Sequence, residues 1–150
     1  MKDLGEANFI LGIKLWWDCK NKMLGLSQAG YIDKVLEQFS MQNSKKVLLP
    51  FRHGVFLPDD QRPKTLEEEN IIRQIPCASV VGSLMYAMLC TRLDKCYSVG
   101  MVNRYQSNPG LKHWQAVKHI LKYLRRTRDY FLVYQCEDLM HIGSTDSNFN

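Results

Sequence analysis

The sequence of 150 residues is poor in the features that mark secreted scaffolds and membrane proteins. Its five cysteines are an odd number, and no two of them form a Cys-x-x-Cys pair, so reduced thiols are favoured over a disulfide framework. The longest apolar stretch, residues 80–90, is too short to cross a bilayer and contains Ser83. We therefore expect no membrane partner.

The N-terminus lacks the pattern of a signal peptide. Asp3 and Glu6 lie where such a peptide carries positive charge, and Lys14 interrupts the apolar residues that follow. The expected location is therefore intracellular. What the chain does contain is 45% hydrophobic residues, enough for a core, and a net charge of +5 that weakly favours an acidic partner such as nucleic acid.

The motifs that usually carry catalysis are missing as well. The chain has no Gly-rich phosphate loop, no nucleophile elbow and no Cys–His pair of the catalytic type. His113 and His119 are six residues apart on a predicted helix and so lie on different faces, which excludes them as a metal-binding pair. No metal site and no cofactor is predicted.

The first thirty residues have the alternation of β-structure. A strand is predicted over residues 7–18, with Phe9, Leu11, Ile13 and Leu15 on one face. A polar turn separates it from a returning strand over 23–28. Together they predict an N-terminal β-hairpin.

The rest of the chain is predicted to be mainly helical before it ends in two strands. Helices are expected over residues 27–41, 66–70, 77–90, 94–106 and 111–130. Strands over 130–135 and 139–145 then form a C-terminal strand pair. The sequence thus predicts an α+β fold with an N-terminal β-hairpin, a helical middle, a long basic amphipathic helix and a C-terminal strand pair.

The last predicted helix gives the best local indication of a binding surface. Beside its apolar stripe it carries five cations near its C-terminal end: Lys118, Lys122, Arg125, Arg126 and Arg128. These cations could meet the phosphates of a nucleic acid without reading its sequence. A solvated helix face that complements the helix dipole is the alternative.

Two adjacent tryptophans, Trp16 and Trp17, lie next to the turn of the predicted hairpin. Neighbouring residues of a strand point to opposite faces, so only one of them can easily stack on a nucleobase. Packing against the core or against a partner is the alternative.

Two carboxylates stand apart from the solvated acidic residues. Asp94 has no acidic neighbour in the sequence and is predicted to cap a helix. Asp146 lies in a polar cluster just after the apolar pair Met140 and Ile142, where a strand end often holds a metal ligand. A two-metal site, however, needs several carboxylates around two ions roughly 3.5–4 Å apart. Neither Asp129 nor Glu137 has a spacing that recommends it as a co-ligand.

Several segments together resemble consecutive blocks of copia-type retrotransposon Pol, in the order of that family. They are "MKDLGEANFILGIKL", "LSQAGYIDKVLEQFSM", "VGSLMYAMLCTRLDKCYSV", "HWQAVKHILKYLRRTRDYFLVY" and "IGSTDSNF". The resemblance covers almost the whole chain. It implies that residues 1–138 correspond to the end of the reverse transcriptase palm, its thumb and the connection, and residues 139–150 to the first strand of an RNase H-like domain.

The resemblance also implies roles for particular residues. It places Asp146 at the first metal-binding acid of RNase H, as a vestigial acid without its partners. It further implies a hairpin similar to a primer grip, formed by Phe9, Leu11, Gly12 and Ile13. The polymerase motif Tyr-x-Asp-Asp and the remaining RNase H acids of the family match nothing here. The implied function is a non-catalytic Pol fragment, not an enzyme, with residual non-specific nucleic-acid binding.

This chain departs from the family pattern at several positions. Leu93 stands where the family usually has Pro, and Lys95 where it has an apolar residue. Ser144 replaces an expected aromatic residue, and Asn148 replaces the usual Asp. Such changes are typical of a decaying genomic copy.

A second resemblance, through the same N-terminal block, is to secreted RxLR effectors of downy mildew oomycetes. It implies secretion, action in the nucleus or cytoplasm of a plant host cell, an unknown host protein as partner, and suppression of host cell death. The sequence departs from this class because it has no strict Arg-x-Leu-Arg motif. "KYLR", residues 122–125, is the nearest approach.

Overall fold

The computed structural model describes Gly5, Leu57, Pro63 and the ranges 7–51, 65–107 and 109–135. Over these residues the chain forms five α-helices and a four-stranded antiparallel sheet, which confirms the predicted α+β class. The second C-terminal strand, the boundary at residues 138–139 and Asp146 lie outside the described residues. Those three assignments stay predictions.

The sheet joins the two ends of the described chain. Its strands are β1 Phe9–Ile10, β2 Ile13–Asp18, β3 Met23–Ser27 and β4 Leu132–Gln135, in the spatial order β1-β2-β3-β4. β4 pairs antiparallel with β3, with Leu26 opposite Leu132. The sequence predicted β4 as a strand but did not predict that it would extend the N-terminal hairpin.

The first predicted strand is wrong in one respect, because it is two strands joined by a tight turn. Ile10 pairs with Ile13, and the intervening Leu11 and Gly12 have positive φ angles of 50° and 80°. Left-handed backbone at both central positions is the geometry of a type I′ hairpin turn. The alternation across residues 9–15 therefore does not place these side chains on one face of one strand.

The helices lie where the periodicity predicted them. They are α1 Ala29–Gln38, α2 Leu66–Arg73, α3 Cys77–Cys90, α4 Cys96–Asn103 and α5 Leu111–Arg126. α3 has the predicted bounds, α2 is longer than predicted, and α1, α4 and α5 are shorter. A 3₁₀ turn, Leu93–Lys95, connects α3 to α4. α2 begins at an N-cap, where the Thr65 hydroxyl accepts a hydrogen bond from the Glu68 amide at 3.2 Å.

α5 lies at the centre of the core. Four residues of its apolar stripe are at most 1% exposed: Val117, Ile120, Leu121 and Leu124. Ile32, Val35 and Leu36 of α1 pack into the same cluster, together with residues of α3 and α4. Each fully buried side chain of this size contributes about 1.5–3 kcal/mol. This burial fixes the rotation of α5 and thereby the direction of its basic residues.

In the described part of the chain, no single helix combines the length and apolar composition that crossing a membrane requires. α2 and α3 meet the requirement only as a pair, and the pair is bent by 48°.

Candidate nucleic-acid interface

The basic residues predicted to bind nucleic acid lie in the C-terminal half of α5 and just beyond it. Lys118, Lys122 and Arg125 are partly buried and occupy one side of the helix, because their spacing is i, i+4 and i+7. Arg126 is exposed on the adjoining side. Arg128 lies past the helix end. The structure therefore brings three of the five predicted residues together on one flank of the buried stripe.

Three of these cations make contacts within the chain. The Lys118 ammonium lies 5.2 Å from the ring centre of Trp114, a cation–π contact. The Arg125 guanidinium donates to the carbonyl oxygen of Ser44. Arg128 forms ion pairs with two carboxylates, as described below. Part of the basic charge is therefore already used to hold the fold, a possibility that sequence spacing does not reveal.

A groove of about 460 Å³ lies between α1 and the end of α5. Its lining residues are Asp33, Leu36, Glu37, Gln42, Lys46, Arg125 and Arg128. Nη2 of Arg128 lies 2.7 Å from the Asp33 carboxylate, and its Nε lies 3.6 Å from that of Asp129. The groove thus mixes three cations with two carboxylates and is less basic than the flank of α5.

The residues predicted to resemble a primer grip lie at the tip formed by β1, the turn and β2. Phe9 and Leu11 are 65% and 84% exposed. The Tyr86 hydroxyl of α3 donates to the Leu11 carbonyl oxygen at 2.6 Å. This bond holds the turn against α3 while its apolar side chains face solvent, and the role of these residues stays a prediction.

The two tryptophans of β2 lie on opposite faces of the sheet and are each about half exposed. Trp16 covers Gly25 of β3 from one side, together with Phe131. A Cβ atom at position 25 would lie 3.2 Å from Cε3 of Trp16 and 3.4 Å from Cδ2 of Phe131. The glycine therefore permits these two rings to pack closely over β3.

A buried charge cluster between α3 and α4 was missed by the sequence analysis. Arg92, only 2% exposed, donates from Nε and Nη2 to the two carboxylate oxygens of Asp94, at 3.1 and 2.9 Å. Its Nη1 donates to the carbonyl oxygen of Thr127 at 2.8 Å, and its Nη2 also reaches the Thr127 hydroxyl. Arg92 therefore satisfies a terminal carbonyl of α5 and ties that helix to the α3–α4 junction.

The prediction that Asp94 caps a helix is wrong, because its carboxylate is the acceptor of this cluster. It also accepts from the Tyr123 hydroxyl at 3.0 Å. Burial alone would raise the pKa of Asp94. Hydrogen bonds from Arg92 and the charges of Lys95 and Arg92 outweigh burial and hold that pKa below its usual value. Because these groups saturate one another, the cluster is suited to stabilising the fold rather than to binding a ligand.

Lys95 is a cation at a fully buried position. Burial, followed by repulsion from Arg92, lowers the pKa of Lys95 to about 7, and Asp94 opposes this shift only in part. The family resemblance supplied the one signal that could have found this site. The family usually has an apolar residue at position 95, and in the structure that position is fully buried.

The metal-binding predictions concern residues both inside and outside the described ranges. Within those ranges, no three His, Cys, Asp or Glu side chains are placed to share a metal ion. His113 is buried in the core, and its Nε2 donates to the Val102 carbonyl oxygen at 2.7 Å. Burial lowers the pKa of His113. Asp146 is not described, so its match to an RNase H acid stays a prediction.

Similarity to known proteins extends over nearly the whole chain. The chain is 45% identical over 148 residues to the "Retrovirus-related Pol polyprotein from transposon TNT 1-94" of Nicotiana tabacum. The aligned region covers 99% of this chain and 11% of that protein. The chain is therefore retrotransposon-derived. It is also 30% identical over 140 residues to the "Retrovirus-related Pol polyprotein from transposon RE2" of Arabidopsis thaliana, covering 87% of this chain and 8% of the relative. This retrotransposon-derived chain spans about a tenth of the length of these polyproteins.

A shorter match links the retrotransposon-derived chain to the second expected group. It is 40% identical over 63 residues to "Secreted RxLR effector protein 161" of Plasmopara viticola, covering 42% of this chain and 44% of that protein. Both resemblances expected from the sequence are confirmed. No family model matches the chain, and no solved structure matches it.

Proposed function

We propose that this retrotransposon-derived chain is a non-catalytic segment that binds nucleic acid through the basic flank of α5, without base specificity. The observation that carries the proposal is the geometry of that helix. Its apolar stripe is buried in the core, and Lys118, Lys122 and Arg125 share one side beside it. Similarity to a Pol polyprotein over 148 residues supports the same proposal.

The number of phosphates that the basic flank neutralises sets the strength and the salt dependence of its binding to nucleic acid. Each phosphate that is neutralised releases counterions, and the logarithm of the binding constant falls with the logarithm of salt by about 0.9 per contact on duplex DNA. Lys118, Arg125 and Arg128 already make internal contacts, so we expect only about two or three of the five cations to contact phosphates. Binding would then be weak at physiological salt and clear at low salt.

A pair of charge-matched variants tests the surface. Lys118→Glu with Lys122→Glu reverses two charges on the basic flank. Lys20→Glu with Lys112→Glu makes the same change in net charge at two exposed positions away from it. The measurement is fluorescence anisotropy of labelled duplexes of two unrelated sequences over a series of salt concentrations.

We expect the flank variant to lose binding to both duplexes, and the control variant to retain most of its affinity. Salt-independent binding, or equal losses in the two variants, would contradict the proposed surface. Circular dichroism of each variant shows whether the helical content of the chain is retained.

The proposal assigns no catalysis to these 150 residues. Asp146 is the one acid at a position that matches an RNase H metal ligand, and two-metal cleavage needs several carboxylates. The purified chain is expected to leave an RNA–DNA hybrid intact with Mg²⁺ or Mn²⁺. Metal-dependent cleavage that Asp146→Asn abolishes would sink this part of the proposal.

The match to an RxLR effector favours a second candidate function. According to this second candidate, the chain is secreted, reaches the nucleus or cytoplasm of a plant cell, and suppresses cell death by binding a host protein. Expression in leaves challenged with a cell-death elicitor tests this candidate. Suppressed death supports it, whereas death that proceeds as in leaves expressing an inert fluorescent protein excludes it.

A further inference from the structure

The groove between α1 and the end of α5 contains an ion pair that bears on the proposed surface. Asp33 lies on α1 and Arg128 lies just after α5, with Nη2 and Oδ2 2.7 Å apart. Both side chains are nearly half exposed, at 47% and 44%. Solvent, and equally a phosphate group, can therefore reach Arg128 without any change of fold.

We infer that Asp33 competes with phosphate for Arg128. The Asp33 carboxylate pairs with Arg128 until a phosphate of a nucleic acid displaces it. The inference rests on the proposed function, because it concerns the regulation of the same basic surface. Glu37 lies one turn after Asp33 and lines the same groove, as do Lys46 and Arg125. The carboxylates of α1 thus face cations that would otherwise add to the flank of α5.

Displacement is feasible because the pair is exposed. An exposed ion pair of this kind shifts an equilibrium by no more than about fivefold. A phosphate offers Arg128 the same fork geometry as a carboxylate and carries more acceptor oxygens. Asp129 also lies near Arg128, at 3.6 Å, but its side chain is 82% exposed and its contact is longer.

The experiment compares Asp33→Asn with Glu67→Gln in the full chain. Both variants remove one negative charge, but Glu67 lies on α2 and does not line the groove. If Asp33 competes with phosphate, Asp33→Asn binds a mixed-sequence duplex about two- to fivefold more tightly than Glu67→Gln at low salt. Its salt dependence should match that of Glu67→Gln, because the phosphate contact of Arg128 forms in both chains once the Asp33 carboxylate is displaced.

A double variant assigns the gain to Arg128. Asp33→Asn with Arg128→Gln is expected to return both the affinity and the salt dependence to those of Arg128→Gln alone. Salt-sensitive wild-type binding with equal affinity for Asp33→Asn and Glu67→Gln overturns the competition but leaves the proposed function intact. If neither the wild type nor Asp33→Asn binds at low salt, both the proposed function and this inference fail.

Discussion

The Lys95 ammonium lies 3.6 Å from the Asp94 carboxylate, and the Lys95 side chain has no solvent exposure whereas that of Asp94 is 39% exposed. This separation is an ion pair but exceeds hydrogen-bond distance, and Nζ has no hydrogen-bond partner among the described residues. Arg92 already neutralises Asp94 with two hydrogen bonds. The cluster therefore holds one more positive charge than its carboxylate can balance. The unbalanced charge is the buried Lys95 ammonium, which destabilises the fold.

Replacing Lys95 with methionine is expected to stabilise the protein by about 1–4 kcal/mol at pH 6, because an apolar chain of similar length fills the same space without a buried charge. Asp94 keeps its bonds from Arg92 and Tyr123 in the variant. Urea denaturation followed by circular dichroism measures the change. Lys34→Met, at an exposed position of α1, is the control and should change the free energy of unfolding by less than about 0.5 kcal/mol.

The effect of Lys95→Met should depend on pH in a defined direction. The pKa of Lys95 is about 7 in the folded chain and 10.5 ordinarily, so between these values the unfolded chain binds more protons. The destabilisation by Lys95 is fully present below about pH 7 and is lost as the pH rises towards 10.5. A variant less stable than the wild type at pH 6, or a difference that grows at alkaline pH, would contradict this account.

Arg92→Lys keeps the positive charge but removes the guanidinium group, which donates hydrogen bonds to both Asp94 and Thr127. We expect the free energy of unfolding to fall by about 1.5–3 kcal/mol, because a lysine cannot make the charged hydrogen bonds to Asp94 and Thr127 together. Arg73→Lys is the matched control, since Arg73 pairs with Glu69 at 2.7 Å on the exposed side of α2. Its cost should be under about 0.5 kcal/mol. Equal losses for the two variants would show that the buried cluster does not hold α5.

Much of the helical part could be predicted from the sequence, because burial there follows local spacing. Ile120, Leu121 and Leu124 recur with the helical period, and all three are at most 1% exposed. The buried cluster could not be predicted, since Arg92 meets Thr127 across 35 residues of sequence. An arginine, an aspartate and a lysine in a short connection normally indicate a solvated turn.

The hairpin shows the same limit at the candidate site. Leu11 continues an apolar alternation, and nothing local marks it as the left-handed residue of a turn. Its carbonyl oxygen meets Tyr86 across 75 residues of sequence, a contact that no window of the sequence contains. The basic residues of α5 were found by their spacing, but the contacts of Arg125 with Ser44 and of Arg128 with Asp33 depend on tertiary structure.

Leu11→Asn is expected to stabilise the hairpin by about 1 kcal/mol. Leu11 has a φ of 50° and a side chain that is 84% exposed, so the substitution relieves backbone strain and loses little buried surface. Asn followed by Gly is also the preferred pair for a type I′ turn. Thermal unfolding measures the change. Leu49→Asn, 59% exposed and without a positive φ, should leave the midpoint nearly unchanged, and equal shifts in both variants would refute the strain at Leu11.

His113→Gln is expected to reduce the sensitivity of the fold to acid. The glutamine amide can donate to the Val102 carbonyl oxygen as Nε2 of His113 does at 2.7 Å, but it does not titrate. The pKa of His113 is held below its ordinary value of 6.5 by burial, so protonation favours the unfolded chain. The wild type should therefore lose stability as the pH falls below about 6.5, and the variant should lose less.

The comparison of the wild type with His113→Gln between about pH 6.5 and 5 isolates this residue. Every other group that titrates there, Lys95 included, is present in both chains, so a difference between their profiles belongs to His113. His113→Leu serves as a comparison, because it removes the titration and also the hydrogen bond. Its stability should be lower than that of His113→Gln by about 0.5–1.5 kcal/mol at every pH, owing to the one lost hydrogen bond, because the Val102 carbonyl keeps its bond from the Tyr105 amide. Urea denaturation at several pH values gives all three profiles, and identical slopes for the wild type and His113→Gln would show that His113 is not the acid-sensitive group.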